Sequence, residues 1–107
     1  MSLYPRPEDG LPPCHPGEYL KDELAALDLS AAAFARHLGV PANRITEILN
    51  GRRSITADTA LRLAQYFGSG DQGAELWLDL QKTHDFKRAK TEHGLEIART
   101  VKPLHAA

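Results

Sequence analysis

Between positions 43 and 53 the chain sets out Asn43, Arg44, Thr46, Glu47 and Asn50, followed by Arg52 and Arg53. If the segment is helical, Ile45, Ile48 and Leu49 fall on one face at spacing i, i+3, i+4. The polar residues are left on the other side. Asn, Thr, Arg and Glu can read or position base edges. An α-helix fits the major groove of B-DNA, about 12 Å wide, where each base pair presents its own donor and acceptor pattern. The expected division of labour has Asn43, Thr46 and Glu47 reading bases, with Glu47 accepting from a cytosine amine. Arg44, Asn50, Arg52 and Arg53 then hold the phosphate backbone. The plainer alternative is a helical hairpin with a solvated polar face. In that case Arg44 and Glu47 form only a surface ion pair of about 0.2–0.5 kcal/mol.

Such a helix must be wedged against a second one, and the preceding residues suit that task. Ser30 can cap a short helix, its hydroxyl accepting from unpaired backbone amides. Phe34, Ala35 and Leu38 form the apolar stripe of that helix. Gly39 sits where the helix must end in a left-handed conformation, which costs glycine little. Pro41 falls at a natural first helical position, where its missing N–H loses nothing. Ala35 and Gly39 are small enough to let two helices cross closely. Cap, small residue, glycine, proline and spaced isoleucines together predict a DNA-reading helix-turn-helix. The DNA-facing set is Ser30, Ala42, Asn43, Arg44, Thr46, Glu47, Asn50, Arg52 and Arg53.

The remaining elements also read as helices. Residues 1–14 contain five of the chain's breakers, Pro5, Pro7, Gly10, Pro12 and Pro13, and suggest an extended arm. In it Cys14 and His15 point apart. Pro16 and Glu18 open a helix to about Leu27, with Leu20, Leu24 and Leu27 on one face. The motif helices follow near 31–38 and 41–50, the second ended by Gly51. Thr56 caps a fourth, with Asp58 in its first turn and Ala60, Leu63, Ala64 and Phe67 facing inward. Gly68 stops it. A glycine-rich link to Gly73 leads to a fifth helix over about 74–90, and residues 91–107 form a weakly structured tail. No useful period-2 alternation occurs, so no sheet is expected. The expected organisation is an arm over 1–14, a helix-turn-helix domain with a dimerisation helix over 15–90, and the tail. The fifth helix carries more apolar residues than one face can bury: Leu76, Trp77, Leu78, Leu80 and Phe86. Core packing alone and a contact with a second copy of the chain both fit that surplus.

Composition excludes more than it proposes. At 107 residues the chain supports one modest helical core. Its net charge of −1 excludes a nonspecific polycation. The distribution is more telling, because residues 30–53 carry four arginines against one glutamate, a net +3. Cys14 is the sole cysteine, so no internal disulfide is possible. His15, His37, His84, His93 and His105 lack metal-ligand spacing, so no metal site or cofactor is expected. No nucleophile triad, phosphate-binding loop or dinucleotide fingerprint is present, and an enzyme reading has no residues to stand on. Asp22 with Glu23, and Asp79 with Asp85, read as solvated helix charges. No signal peptide or 18-residue apolar run is legible, so a soluble cytoplasmic protein is expected.

The segments HPGEYLKDEL (15–24), LS…FARHLGVPANRITEILNGRRSITADTALRLAQYFG (29–68) and ELWLDLQ (75–81) resemble the HigA/VapI type of antitoxin. That type lies within the Xre/Cro-like helix-turn-helix class. The resemblance implies an all-α, five-helix, lambda-repressor-like DNA-binding domain. It tips the fifth helix toward a homodimer interface through Leu76, Trp77, Leu80 and His84. It further implies repression of the protein's own operon from operator DNA and neutralisation of a small basic toxin. That toxin would be a RelE/HigB-like, ribosome-dependent mRNA endoribonuclease. The main alternative is a stand-alone or phage-type repressor with no toxin partner. A third, a helical interaction module that has lost DNA binding, finds support only in the alanine run 31–33.

Overall fold

The computed structural model describes residues 14–105. These residues form five α-helices and no strand: α1 (Pro16–Leu27), α2 (Ala31–Leu38), α3 (Ala42–Leu49), α4 (Ala57–Phe67) and α5 (Gly70–Thr100). The expected arm lies outside the described residues up to position 13.

Local chemistry sets most helix ends. The Ser30 hydroxyl accepts from the Ala33 amide at 3.1 Å, as its cap position requires. Thr56 caps α4 in the same way, accepting from Thr59 N–H at 3.5 Å. Gly39 closes α2 at φ +71° and Gly68 closes α4 at φ +69°, the left-handed geometry in which a side chain is strained. Pro41 stands one place earlier than expected, at the cap of α3 rather than inside it.

The core joins all five helices. Leu20, Leu24, Phe34, Ala35, Leu38, Ile45, Ile48, Ile55, Ala60, Leu63, Ala64, Ala74 and Trp77 are buried together. Phe34, Tyr66 and Phe67 form an aromatic cluster with ring centroids 5.2–6.0 Å apart. Leu27, expected on the apolar face of α1, is exposed in the last turn of that helix. Along the chain, α2 packs on α3, α1 rests on α3 and α5, and α4 lies along α5.

The largest departure is α5. It begins at Gly70 rather than 74 and continues to Thr100, so most of the expected tail is helical. At 1.5 Å per residue its 31 residues span about 46 Å, most of the molecule's 53 Å length. The glycine-rich link does not separate α5 from α4, because Gly70 and Gly73 belong to its first turn. A Cβ on Gly73 would collide with the Ser69 side chain, so glycine is what lets the turn close. Distal to Asp85 the helix is carried by local pairs. Arg88 donates to Glu92 at 3.0 Å, and the Thr100 hydroxyl donates to the Glu96 carbonyl. Pro103 cannot continue it, and the residue before a proline avoids helical geometry.

Candidate nucleic-acid interface

The inner face of α3 is fully used by the core, since Ile45 and Ile48 are completely buried. That fixes the rotation of the helix and turns Asn43, Thr46 and Asn50 outward to solvent. Thr46 donates its hydroxyl to the Ala42 carbonyl at 3.2 Å and remains exposed. Ala42 is exposed at the start of the helix, and Ser30 is exposed at the start of α2.

The charged residues do not form the plain surface pair weighed as the alternative. Arg44 and Glu47 do not pair with each other. Arg44 Nη1 meets Asp58 Oδ2 of α4 at 3.2 Å. Glu47 Oε1 accepts from Arg53 Nη2 at 2.7 Å and from Arg53 Nε at 3.1 Å. The reason is the turn after α3. Gly51 at φ +74° reverses the chain and brings Arg53 back over the helix it has just left. Arg52 stays exposed and meets no carboxylate among the described residues. Its amide donates to the Glu47 carbonyl at 2.8 Å, tying the turn to the last turn of α3.

Arg62 was not anticipated. Its Nε meets Asp58 Oδ2 at 2.9 Å, and its Nη1 donates to the Leu38 carbonyl at 2.8 Å. It thus supplies a C-terminal cap for α2 from α4 and steadies the helix-turn-helix from behind. The i, i+4 spacing of Asp58 and Arg62 was a visible signal; the reach to Leu38 was not. The hydrogen bond from Arg62 leads the causes holding the Asp58 carboxyl below its usual range, and Arg44 adds to it. The carboxylate therefore stays charged between the two guanidinium groups. Val40, Arg44, Arg53, Thr56, Asp58 and Arg62 line a cleft of about 400 Å³ beside α3.

Two further features lay beyond sequence reasoning. Gly17 presses against the Ile48 carbonyl, where a Cβ would collide with backbone oxygen. Gln81 is a buried polar residue of α5, whose Oε1 accepts from Ile55 N–H at 2.8 Å and whose Nε2 donates to Asp85 at 3.0 Å. Cys14 and His15 precede α1, His15 with an extended backbone. The Cys14 thiol approaches the His15 carbonyl at 3.8 Å, and the His15 ring caps α1.

Of the residues expected at a subunit interface, two are used inside the protomer. Trp77 is buried in the core, and His84 packs edge-on against His15 with ring centroids 4.9 Å apart. Leu80 is half-buried and Leu76 is exposed. These two border a small groove of about 240 Å³ with Phe67 and Trp77. No group of side chains among the described residues forms a metal-binding cluster. No helix among them is long and apolar enough to cross a membrane.

Comparison with known proteins agrees with this geometry. Residues 20–71 match the helix-turn-helix family HTH_3. An addiction module antidote protein of a HigA family from Coxiella burnetii is 52% identical, with a TM-score of 0.78 over 87% of this chain and 99% of its own. The Pseudomonas aeruginosa antitoxin HigA, solved with the higBA promoter, is 39% identical, with a TM-score of 0.78 over 87% and 99% of the two chains. Virulence-associated protein I of Dichelobacter nodosus is 47% identical over 93 residues, 86% of this chain and 82% of that protein. A five-helix chain with this motif, matching antitoxins over nearly their full lengths, belongs to the HigA family of helix-turn-helix antitoxins.

Proposed function

We propose that this chain binds operator DNA as a homodimer, represses its own operon and neutralises a RelE-like mRNA endoribonuclease. The family is one of DNA-binding regulators, not of enzymes. The observation that carries the reading is the outer face of α3. Asn43, Thr46 and Asn50 stand exposed on a helix locked by two fully buried isoleucines, with Arg52 exposed at its end. A Pseudomonas relative of the same fold was solved with its promoter. In this reading Asn43, Thr46 and Glu47 read bases, and Arg44, Asn50, Arg52 and Arg53 grip the backbone. Ser30 and Ala42 approach it at the helix starts. Phosphates then compete with Asp58 and Glu47 for Arg44 and Arg53. A dyad sets two copies of α3 about 34 Å apart, one DNA turn or a multiple of it.

The toxin rests on family membership alone, and the test treats it separately. Asn43→Ala weakens binding to the chain's own promoter by about 1–3 kcal/mol while leaving random duplex binding nearly unchanged. Equal losses on both duplexes defeat the base-reading role. Co-expression with the neighbouring reading frame then decides the partner. Rescue of growth and a copurifying basic protein support an antitoxin; their absence, with promoter binding intact, leaves a stand-alone repressor.

A further inference from the structure

The start of α1 and the end of α3 meet at one histidine. His15 Nδ1 accepts from Gly17 N–H at 2.9 Å and so caps α1. The same ring faces the turn that follows α3. It also covers Gly51, close enough that a Cβ there would touch it. One residue further on, Gly17 lies against the Ile48 carbonyl, which accepts the Gly51 amide at 3.0 Å. Behind the ring stands His84 of α5, whose Nδ1 lies 3.1 Å from Asp85. Asp85 in turn accepts from Gln81, which holds the Ile55 amide. The turn from Gly51 to Ile55, which carries Arg52 and Arg53, is therefore packed against His15 at its start and hydrogen-bonded to α5 at its end.

We propose that His15 is a positioning residue for DNA binding: its neutral ring, capping α1 and packed on Gly51, fixes the start of the turn that presents Arg52 and Arg53 beside the recognition helix, and protonation undoes that cap. The role rests on the DNA-binding reading and deepens it. The Nδ1 lone pair can accept from Gly17 only while the ring is uncharged, because a protonated imidazole has two donors and no acceptor. Protonation therefore turns a cap into a donor facing another donor. The charged or titratable groups around the ring are Cys14 and Glu18 at the start of α1, Arg53 in the turn, and His84 and Asp85 on α5. Burial, and then the neighbouring His84, hold the His15 imidazole below its usual range, against smaller opposing effects of Asp85, the Arg53 backbone and Glu18. The fold thus favours the uncharged ring. Its contribution is present above the ordinary value of 6.5 and is lost as pH falls through the lower folded value.

The test uses the full chain and a duplex carrying its own promoter. His15→Asn keeps a capping acceptor that does not titrate, and His15→Ala removes it. Near neutral pH, H15A binds the promoter about fivefold more weakly, the size of one lost helix cap, while H15N binds almost as wild type. On lowering pH from about 7.5 to about 5.5, wild type loses severalfold more affinity than H15N, whose other histidines are unchanged. Hydrogen exchange at the Arg52 amide gives a readout without DNA: faster in H15A and restored in H15N. H15A with wild-type affinity, pH profile and Arg52 exchange overturns the positioning role while promoter binding by wild type stands. Faster exchange with unaltered promoter binding confines His15 to the fold and also overturns it. A folded wild type that binds no duplex overturns the DNA-binding reading itself and this role with it.

Discussion

The two ends of α5 differ as much as any two regions of the molecule. From Gly70 to Asp85 the helix lies against α4, burying Ala74, Trp77 and Gln81. From Phe86 to Thr100 nothing is buried, and Phe86, Leu95 and Ile97 are 66, 76 and 51% exposed. The backbone is the same in both, but the stabilising forces are not. The proximal half is held by apolar burial and a buried amide. The distal half relies on local ion pairs and on continuity with the first, and it carries Gly94, which weakens a helix by about 1 kcal/mol relative to alanine. Isolated helices of that length are marginal in water. Phe86 and Ile97 lie eleven residues apart, close to three helical turns, so they share a stripe. A stripe of this kind on a projecting helix is a better interface candidate than Trp77 or His84, which the protomer already uses.

Breaking the compact part has the largest effect. Ile48→Ala removes a fully buried side chain and lowers stability by about 2–5 kcal/mol, read as a fall in the denaturation midpoint. Gly39→Val follows, costing at least about 1 kcal/mol, because a β-branched residue at φ +71° is strained whatever the space around it. An unchanged midpoint in that variant means that the turn has a different geometry in solution.

The distal half responds otherwise. Phe86→Lys or Ile97→Lys leaves monomer stability within about 0.5 kcal/mol, as exposed substitutions do. If the stripe is the subunit contact, either change converts a dimer into a monomer of about 11.8 kDa in sedimentation. A wild type that already sediments as a monomer removes the stripe from the argument. Gly94→Ala acts on α5 alone, with no change in assembly. It stabilises α5 by about 0.5–1 kcal/mol and slows exchange of the distal amides. No change in exchange would show that the distal half is already frayed in solution.

The helix-turn-helix was largely legible in the residue order because its signals are local. Ser30 caps, Gly39 reverses, and Ile45 and Ile48 mark the buried side within one helical turn of each other. The outward face of α3 followed from that periodicity. The partners of its charges did not. Arg44 reaches Asp58, fourteen residues away, and Arg53 folds back to Glu47 only because Gly51 reverses the chain. The true extent of α5 was missed for a related reason. Gly70, Gly73 and Gly94 read as breakers, yet helix formation is cooperative, and packing on α4 starts a helix that local pairs then prolong.

Residue order alone determined the helical class, the motif and which side of α3 is polar, since each depends on contacts within a few residues. Tertiary structure alone decided that Trp77 is core, that Arg62 caps α2, that Gly17 must lack a side chain and that His15 packs on the turn after α3. Each of these depends on which distant backbone lies opposite, and that is set by the packing of whole helices rather than by any local spacing.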